Sequence, residues 1–383
     1  MREGWTYKKL GDYIKEYSVK NKAGKDIPVY SVTNSQGFCK EYFSKEIASQ
    51  DKTSYKIVPY GFFAFNPSRI NVGSIDWQHK EEQVIVSPLY NVFSVSESVL
   101  QPYLLYYLKS PATIKYIDAI ATGTVRLNLK LSMLKDFSIP VPSLSEQQSI
   151  VAELDKINEL ISLKKAQLSD LDSLAQSIFY DMFGDPIENE KGWEVKTLKD
   201  IVADDCSISY GIVQPGDGVD NGVPVVRPVD MTHTYVKLSG LKHTTKEISD
   251  SYKRTILKGN EILICVRGTT GLVALATEEL KGCNVTRGVS PIECNALNNR
   301  LYVYHQLLTD GIQHYIANYT KGIALKQINM QDVREIPLII PPLSLQQEFA
   351  KRIELIEQQK AQICSTIKDL ETLLASRMQY WFD

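Results

Sequence analysis

PSLSEQQ at residues 142–148 returns as PPLSLQQ at 341–347, 199 positions later. Each copy stands just before a long stretch of mixed polar and apolar residues. Proline ahead of Ser-x-x-Gln predicts a helix start. Ser145 with Gln148, and Ser344 with Gln347, have the spacing of a capping box, in which each side chain bonds the other's backbone N–H. One such box is common; two in matching surroundings point to a duplication.

The flanks come into register with the phrases. ATGTVRLNLKLSMLKDFSIPVPSLSEQQ (121–148) lies over TKGIALKQINMQDVREIPLIIPPLSLQQ (320–347) without a gap. Downstream, SIFYDMFGD (177–185) lies over SRMQYWFD (376–383); upstream, GWTYKKLGDYI (4–14) resembles GWEVKTLKDIV (192–202). IPVYSVTN (27–34) further matches VPVVRPVD (223–230), and IVSPLYN (85–91) matches GVSPIEC (288–294). The chain is a tandem repeat in which a globular segment is followed, twice, by a helix.

The helices carry a heptad seam. In the first, Ile150, Leu154, Ile157, Ile161, Lys164, Leu168, Leu171, Ala175 and Ile178 step by four and three; in the second, Phe349, Ile353, Ile356, Lys360, Ile363, Ile367, Leu370 and Leu374 do. A sustained 3.5-residue period predicts a coiled coil, each helix about 55 Å long at roughly 1.5 Å per residue. If the halves are related by a pseudo-two-fold axis, the helices pair antiparallel, with the globular segments at opposite ends of a rod. The expected fold class is α+β: two mixed α/β domains in tandem, separated by two long helices. The expected boundaries are 1–145, 146–184, 185–345 and 346–383.

Within the globular segments, KIVPYGFFAF (56–65) and TILKGNEILICV (255–266) predict strand–turn–strand units with Gly61 and Gly259 at the turns. Each is followed by a polar, glycine-containing loop, NPSRINVGS (66–74) and RGTTG (267–271).

The 383 residues suffice for two or three domains, and the composition is that of an ordinary globular chain, 43% hydrophobic and 23% charged. No apolar run reaches the length of a membrane span and the N-terminus lacks an apolar signal core, so the expected location is the cytoplasm. The six cysteines form no CxxC pair and the five histidines no HxH or HExxH, which speaks against structural zinc. Net charge is −2, unevenly spread: residues 1–145 carry 18 Lys+Arg against 13 Asp+Glu, while residues 146–184 carry 3 against 7. A DNA-binding role would need local loops or a partner to neutralise phosphates.

A variable domain, a long helix opening on P-x-L-x-x-Q-Q, a second variable domain and a second such helix resemble the specificity subunit of type I restriction–modification systems. The resemblance runs along essentially the whole chain. It is carried by IPVYSVTN, NPSRINVGSI, the ATGT loop, IPVPSLSEQQ and IPLIIPPLSLQQ, in this order. It implies two target recognition domains, each reading one half of a bipartite, asymmetric double-stranded DNA site. The helices would set the gap between half-sites and dock two adenine-methylating subunits that use S-adenosylmethionine. Restriction (motor–nuclease) subunits would join for cleavage. This chain itself would hold no cofactor and catalyse nothing.

Arginine and lysine read guanine through two hydrogen bonds, and asparagine and glutamine read adenine. On this basis the DNA-contacting candidates are Asn34, Arg69, Asn71 and Arg126 in the first domain. In the second they are Arg227, His233, Arg267, Thr269, Thr270 and Lys326. Lys20, Lys22 and Lys25 suit either phosphates or a solvated loop.

Two other classes compete. For a methyltransferase, Asn66-Pro67-Ser68-Arg69 lacks the second proline and the aromatic of a (D/N)PP(Y/F) motif, and no glycine-rich cofactor or phosphate loop is present. For a metal-dependent nuclease, Asp185 with Glu194-Val195-Lys196 is a loose match whose repeat counterpart reads Thr6-Tyr7-Lys8. The non-enzymatic alternative is a coiled-coil scaffold pairing two protein-interaction domains, which predicts no salt-sensitive, sequence-selective DNA binding.

Overall fold

The computed structural model describes residues 5–40, 51–120, 128–322 and 325–382. The chain divides into two compact units: residues 1–166 with 364–383, and residues 167–363.

Unit 1 runs β1 (Thr6–Lys9), β2 (Ile14–Glu16), β3 (Ser31–Thr33), β4 (Gly37–Cys39), β5 (Lys56–Pro59), β6 (Phe63–Phe65), β7 (Ile75–Trp77), β8 (Gln83–Val86) and β9 (Asn91–Val95). Helices α1 (Gln101–Lys109), α2 (Pro111–Ile120) and α3 (Leu131–Lys135) follow, then β10 (Ser138–Val141) and the long α4 (Leu144–Phe183). Unit 2 takes over within α4 and continues with β11 (Glu194–Thr197), β12 (Val223–Val226), β13 (Lys242–Thr244), α5 (Lys246–Ser251) and β14 (Ile262–Cys265). Next come β15 (Val273–Leu275), β16 (Asn284–Val285) and β17 (Val289–Ile292). The chain ends with α6 (Arg300–Leu307), α7 (Asp310–Tyr319), α8 (Met330–Arg334), β18 (Pro337–Ile340) and the long α9 (Leu343–Phe382).

The duplication is written in the pairing. β6 lies between β7 and β9 in unit 1, and β14 between β15 and β17 in unit 2. Phe63 faces Phe93, and Ile262 faces Ile292, each pair related to the other by the same 199-residue step. β1 pairs antiparallel with β10, and β11 with β18, so each unit closes its first strand onto the strand that leads into a long helix. Val29 bridges Ile85 in parallel as Val225 bridges Asn284, in keeping with the match of 27–34 to 223–230.

One alignment and one element expectation need correction. Because Phe93 corresponds to Ile292, the match of IVSPLYN to GVSPIEC is four residues out of step: Ser87-Pro88 lies in a turn, whereas Ser290-Pro291 lies within β17. The strand–turn–strand reading holds for 56–65 but not fully for 255–266. There the first arm is a 3-10 turn, Lys253–Thr255, followed by an extended stretch whose Leu257 N–H donates to the Cys283 carbonyl at 2.8 Å. The partner arm is only two residues long in β16, too short to form a ladder like that of β5 with β8.

The start of α4 also differs from expectation. The capping box is Ser143 with Glu146, two residues earlier than Ser145 with Gln148: the Glu146 carboxylate accepts from the Ser143 N–H at 3.1 Å and from its hydroxyl at 2.8 Å. Proline stands at the equivalent position 342, so α9 opens without such a box. The glutamine common to both phrases has another task. Gln147 Oε1 accepts the Leu100 N–H at 2.9 Å, and Gln346 Oε1 accepts the Asn299 N–H at 2.8 Å. Both glutamines are fully buried and tie the start of a long helix to the start of the helix following the sheet.

Most of the predicted seam positions are buried, but Leu168, Ile178, Leu370 and Leu374 are only partly covered, and Phe179 and Met378, outside the predicted seams, are buried. In unit 1, Ile150, Leu154, Ile157 and Ile161 of α4 are covered, as are Ile367 and Met378 of α9. Glu153 takes a two-pronged contact from the Arg377 guanidinium and accepts from Trp381 Nε1 at 3.1 Å; Lys165 meets Glu371 at 3.1 Å. In unit 2, Phe179 packs against Phe349 with ring centroids 5.6 Å apart, and Lys360 reaches Asp172 at 2.7 Å. Residue numbers rise along one helix as they fall along the other, so the pairing is antiparallel in each unit. Burying side chains of this size contributes on the order of 1.5–3 kcal/mol each. The helix ends are anchored aromatically: Phe382 sits edge-on to Tyr103 at 5.4 Å in unit 1, and Phe183 edge-on to Tyr302 at 4.8 Å in unit 2. Tyr103 and Tyr302 in turn donate to the carbonyls of Pro140 (2.8 Å) and Ile339 (2.7 Å).

Candidate nucleic-acid interface

The two glycine-containing loops occupy the same place in the two units, joining β6 to β7 and β14 to β15. Each is fixed from below by a backbone bond at the same place. Leu129 N–H donates to the Pro67 carbonyl at 3.1 Å, and Ile328 N–H to the Val266 carbonyl at 3.0 Å. These bonds are again 199 residues apart, so a common frame presents two loops of different sequence.

In unit 1, Arg69 is exposed on this loop, and Asn71 donates through Nδ2 to Asp118 on α2 at 3.0 Å. Asn34, exposed in the β3–β4 turn, leans over the loop at Gly73. That glycine has φ +83°, and a Cβ there would fall 2.5 Å from Asn34 Oδ1. Asn34, Arg69 and Asn71 therefore lie on one edge of the unit. Arg126 lies outside the described residues. Lys20, Lys22 and Lys25 are exposed around a turn that Asn21 holds, donating to the Lys25 carbonyl at 2.9 Å and accepting its N–H at 3.0 Å.

In unit 2, Arg267, Thr269 and Thr270 share the β14–β15 loop, and Lys326 joins them because its carbonyl accepts the Gly268 N–H at 2.8 Å. Thr270 Oγ1 also accepts from the Thr320 hydroxyl at 3.1 Å. Arg227 is otherwise engaged: its guanidinium grips Asp230 through Nε at 2.9 Å and Nη2 at 2.7 Å. This pair braces the turn after β12 and raises the guanidinium's proton affinity further. His233 is exposed in the next loop.

Sequence reasoning passed over Tyr210, Arg287, Gln327 and Asn329, which line a cleft of about 460 Å³ together with Arg267. The available signal was the Arg-Gly dipeptide, present at 267–268 and again at 287–288. The residues of the nuclease reading have local duties instead. Asp185 accepts the backbone N–H groups of Ile187 and Glu188 at 2.7 and 3.2 Å, and Glu194 pairs with Lys196 at 3.4 Å. Among the described residues no cluster of His, Cys, Asp or Glu is arranged to hold a metal ion, and no helix is long and apolar enough to cross a membrane.

The family model of the type I restriction modification DNA specificity domain matches the chain twice, over residues 2–172 and 190–371. The chain belongs to this family. Among similar proteins of the family is the type I restriction enzyme EcoBI specificity subunit of Escherichia coli. It is 24% identical over 275 residues, covering 65% of this chain and 57% of that protein. The type I restriction enzyme MjaIX specificity subunit of Methanocaldococcus jannaschii is 26% identical over 286 residues, 67% of this chain and 62% of that one. The match thus spans less than two thirds of either relative's length. The fold as a whole is also that of a chain in a solved structure concerned with complex assembly and conformational transition of the type I R-M system. The TM-score is 0.60 at 17% identity, over 99% of this chain and 97% of that chain.

Proposed function

We propose that this chain is the DNA-specificity subunit of a type I restriction–modification complex. Each unit's α/β domain, residues 1–145 and 185–345, reads one half of a bipartite, asymmetric double-stranded DNA site. The paired helices, residues 146–184 and 346–383, set the spacer and dock two adenine-N6 methyltransferase subunits. Those subunits bind S-adenosylmethionine, and restriction subunits join them in the cytoplasm. The chain itself performs recognition and no chemistry.

The observation that carries this reading is the repeated frame with unlike loops. The same backbone bonds, Leu129 to Pro67 and Ile328 to Val266, hold Asn66–Ser74 in one unit and Arg267–Gly271 in the other. Two copies of one scaffold carrying different polar side chains suit a site whose halves differ, because direct readout depends on which donors and acceptors a loop presents. Asn34, Arg69, Asn71 and Arg126 are the proposed contacts for one half-site. Arg227, His233, Arg267, Thr269, Thr270 and Lys326 are those for the other, with Arg227 acting through the turn it braces.

The test is co-expression with a type I adenine-N6 methyltransferase subunit from the same genome and genome-wide mapping of methylated adenines. A split motif is expected whose one half changes when residues 1–145 are exchanged for those of a relative, and whose other half changes when 185–345 are. No methylation dependent on this chain would refute the reading.

A further inference from the structure

The cleft of unit 2 has a charge pattern that a protein surface does not keep without a reason. Its lining includes Arg267, Arg287, Tyr210, Gln327 and Asn329, and no carboxylate. Pairing of β14 with β17 runs from Ile262 opposite Ile292 to Cys265 opposite Val289, and the Val266 N–H extends it by donating to the Gly288 carbonyl at 2.8 Å. There the ladder ends: Arg267 bridges Gln327 instead, and Arg287 stands in the turn just before β17. Both arginines still line the one cleft, and two like charges there repel each other without a carboxylate to offset them. In addition, Arg267 Nη1 is enclosed and has no hydrogen-bond partner among the described residues. An enclosed guanidinium donor without an acceptor is unfavourable, and an anion between the two arginines relieves both problems at once.

The rim is held in a strained form. Ile208, a β-branched residue, has φ +38°, a region such residues rarely enter. Its carbonyl accepts from Arg334 Nη2 at 2.9 Å. Three residues on, Gly211 lies so close to β16 that a Cβ would fall 1.9 Å from the Val285 carbonyl oxygen. Pinned on both sides, Tyr210 stands half-exposed at the mouth of the cleft. Strain kept in place by surrounding contacts points to a positional task.

We infer that this cleft binds a backbone phosphate of DNA, with Arg267 and Arg287 as its clamp and Tyr210 as a further donor at the rim. The inference rests on the DNA-recognition reading and sharpens it, because it moves Arg267 from base reading to backbone positioning. Shape decides between the two. Base edges lie about 8.5 Å deep in the major groove and are reached by projecting side chains. A guanidinium with one nitrogen enclosed inside a concavity does not project, whereas the phosphate ridge of a duplex is convex and enters one.

The test uses Arg267→Gln and Arg287→Gln in the full chain assembled with its methyltransferase subunits. Binding to a random-sequence duplex and to the methylated motif is followed by fluorescence anisotropy between about 50 and about 200 mM salt. Each substitution is expected to reduce the log–log salt slope by about one and to weaken both duplexes by the same factor, with the genomic methylation motif unchanged. An unaltered slope in Arg287→Gln, whose exposed side chain makes folding safe, overturns the assignment. So does a motif that loses a base in Arg267→Gln. These outcomes leave the specificity reading intact as long as the parent complex binds its motif. A parent complex with no salt-dependent DNA binding overturns both.

Discussion

Gln346 Oε1 accepts the Asn299 backbone N–H at 2.8 Å while its Nε2 donates to the Pro341 carbonyl at 2.9 Å, all within a fully buried amide. One side chain thereby locks the first turn of α9 to the first turn of α6. Gln147 does the same in unit 1, donating to the carbonyls of Ser98 and Pro142 at 3.0 Å each. Replacing Gln346 by Leu strands a buried N–H and is expected to destabilise unit 2 by about 1–3 kcal/mol. Urea unfolding of the full chain measures this; a midpoint equal to the parent's would contradict the role given to the amide.

His305 introduces a pH dependence. Burial, with the Lys360 charge second, pushes its pKa down to about 4, and its ring Nε2 has no partner among the described residues. The folded-state value lies below the ordinary value of about 6.5, so the unfolded chain takes up the proton first. Stability from this group is complete above pH 6.5 and falls as pH drops towards 4, by up to about 3 kcal/mol. Tyrosine stands at the equivalent position, Tyr106, where it donates to Asp155 at 2.6 Å. His305→Tyr should therefore remove this part of the acid sensitivity, seen as a smaller difference between urea midpoints at pH 7.5 and pH 5.

Lys360 is the charged member of a seam. Burial works to lower its pKa, but the hydrogen bonds to Asp172 and Glu357, both 2.7 Å, outweigh it and hold the ammonium charged. Glu357 is itself largely covered, so Lys360→Met leaves a carboxylate short of its counter-charge. The expected loss is about 2 kcal/mol, below the full value for a buried pair because Asp172 is exposed to solvent. Adding Glu357→Gln should recover most of it, a coupling that a double-mutant cycle reads directly.

A four-residue insertion after Leu163 of α4 adds roughly 6 Å and about one turn of helix. The methylation motif is expected to change its spacer or to vanish. Retention of the parent motif with the parent spacer would rule out a spacing role for the helix pair.

The repeat, both long helices and their heptad seams were legible in the sequence, because a 3.5-residue period survives any choice of partner and a 199-residue echo needs no coordinates. The start of the helix was less so. Ser143 and Ser145 both offer a capping hydroxyl, and only the packing of Gln147 against Leu100 decides which turn comes first. Short strands were misaligned for a related reason: Ser-Pro occurs at 87–88 and 290–291, and residue identity there outran the true register of β9 and β17.

By itself, then, the sequence determined a duplicated α/β domain followed each time by a coiled-coil helix, since periodicity and repetition are properties of the chain alone. Tertiary structure decided which polar side chains are spare. Arg227 and Arg267 read alike as letters, yet one is gripped by Asp230, while the other shares a cleft with Arg287 and has no acceptor for Nη1 among the described residues. The difference lies in contacts between residues far apart in the chain or turned by a local bend, and no linear pattern carries that information.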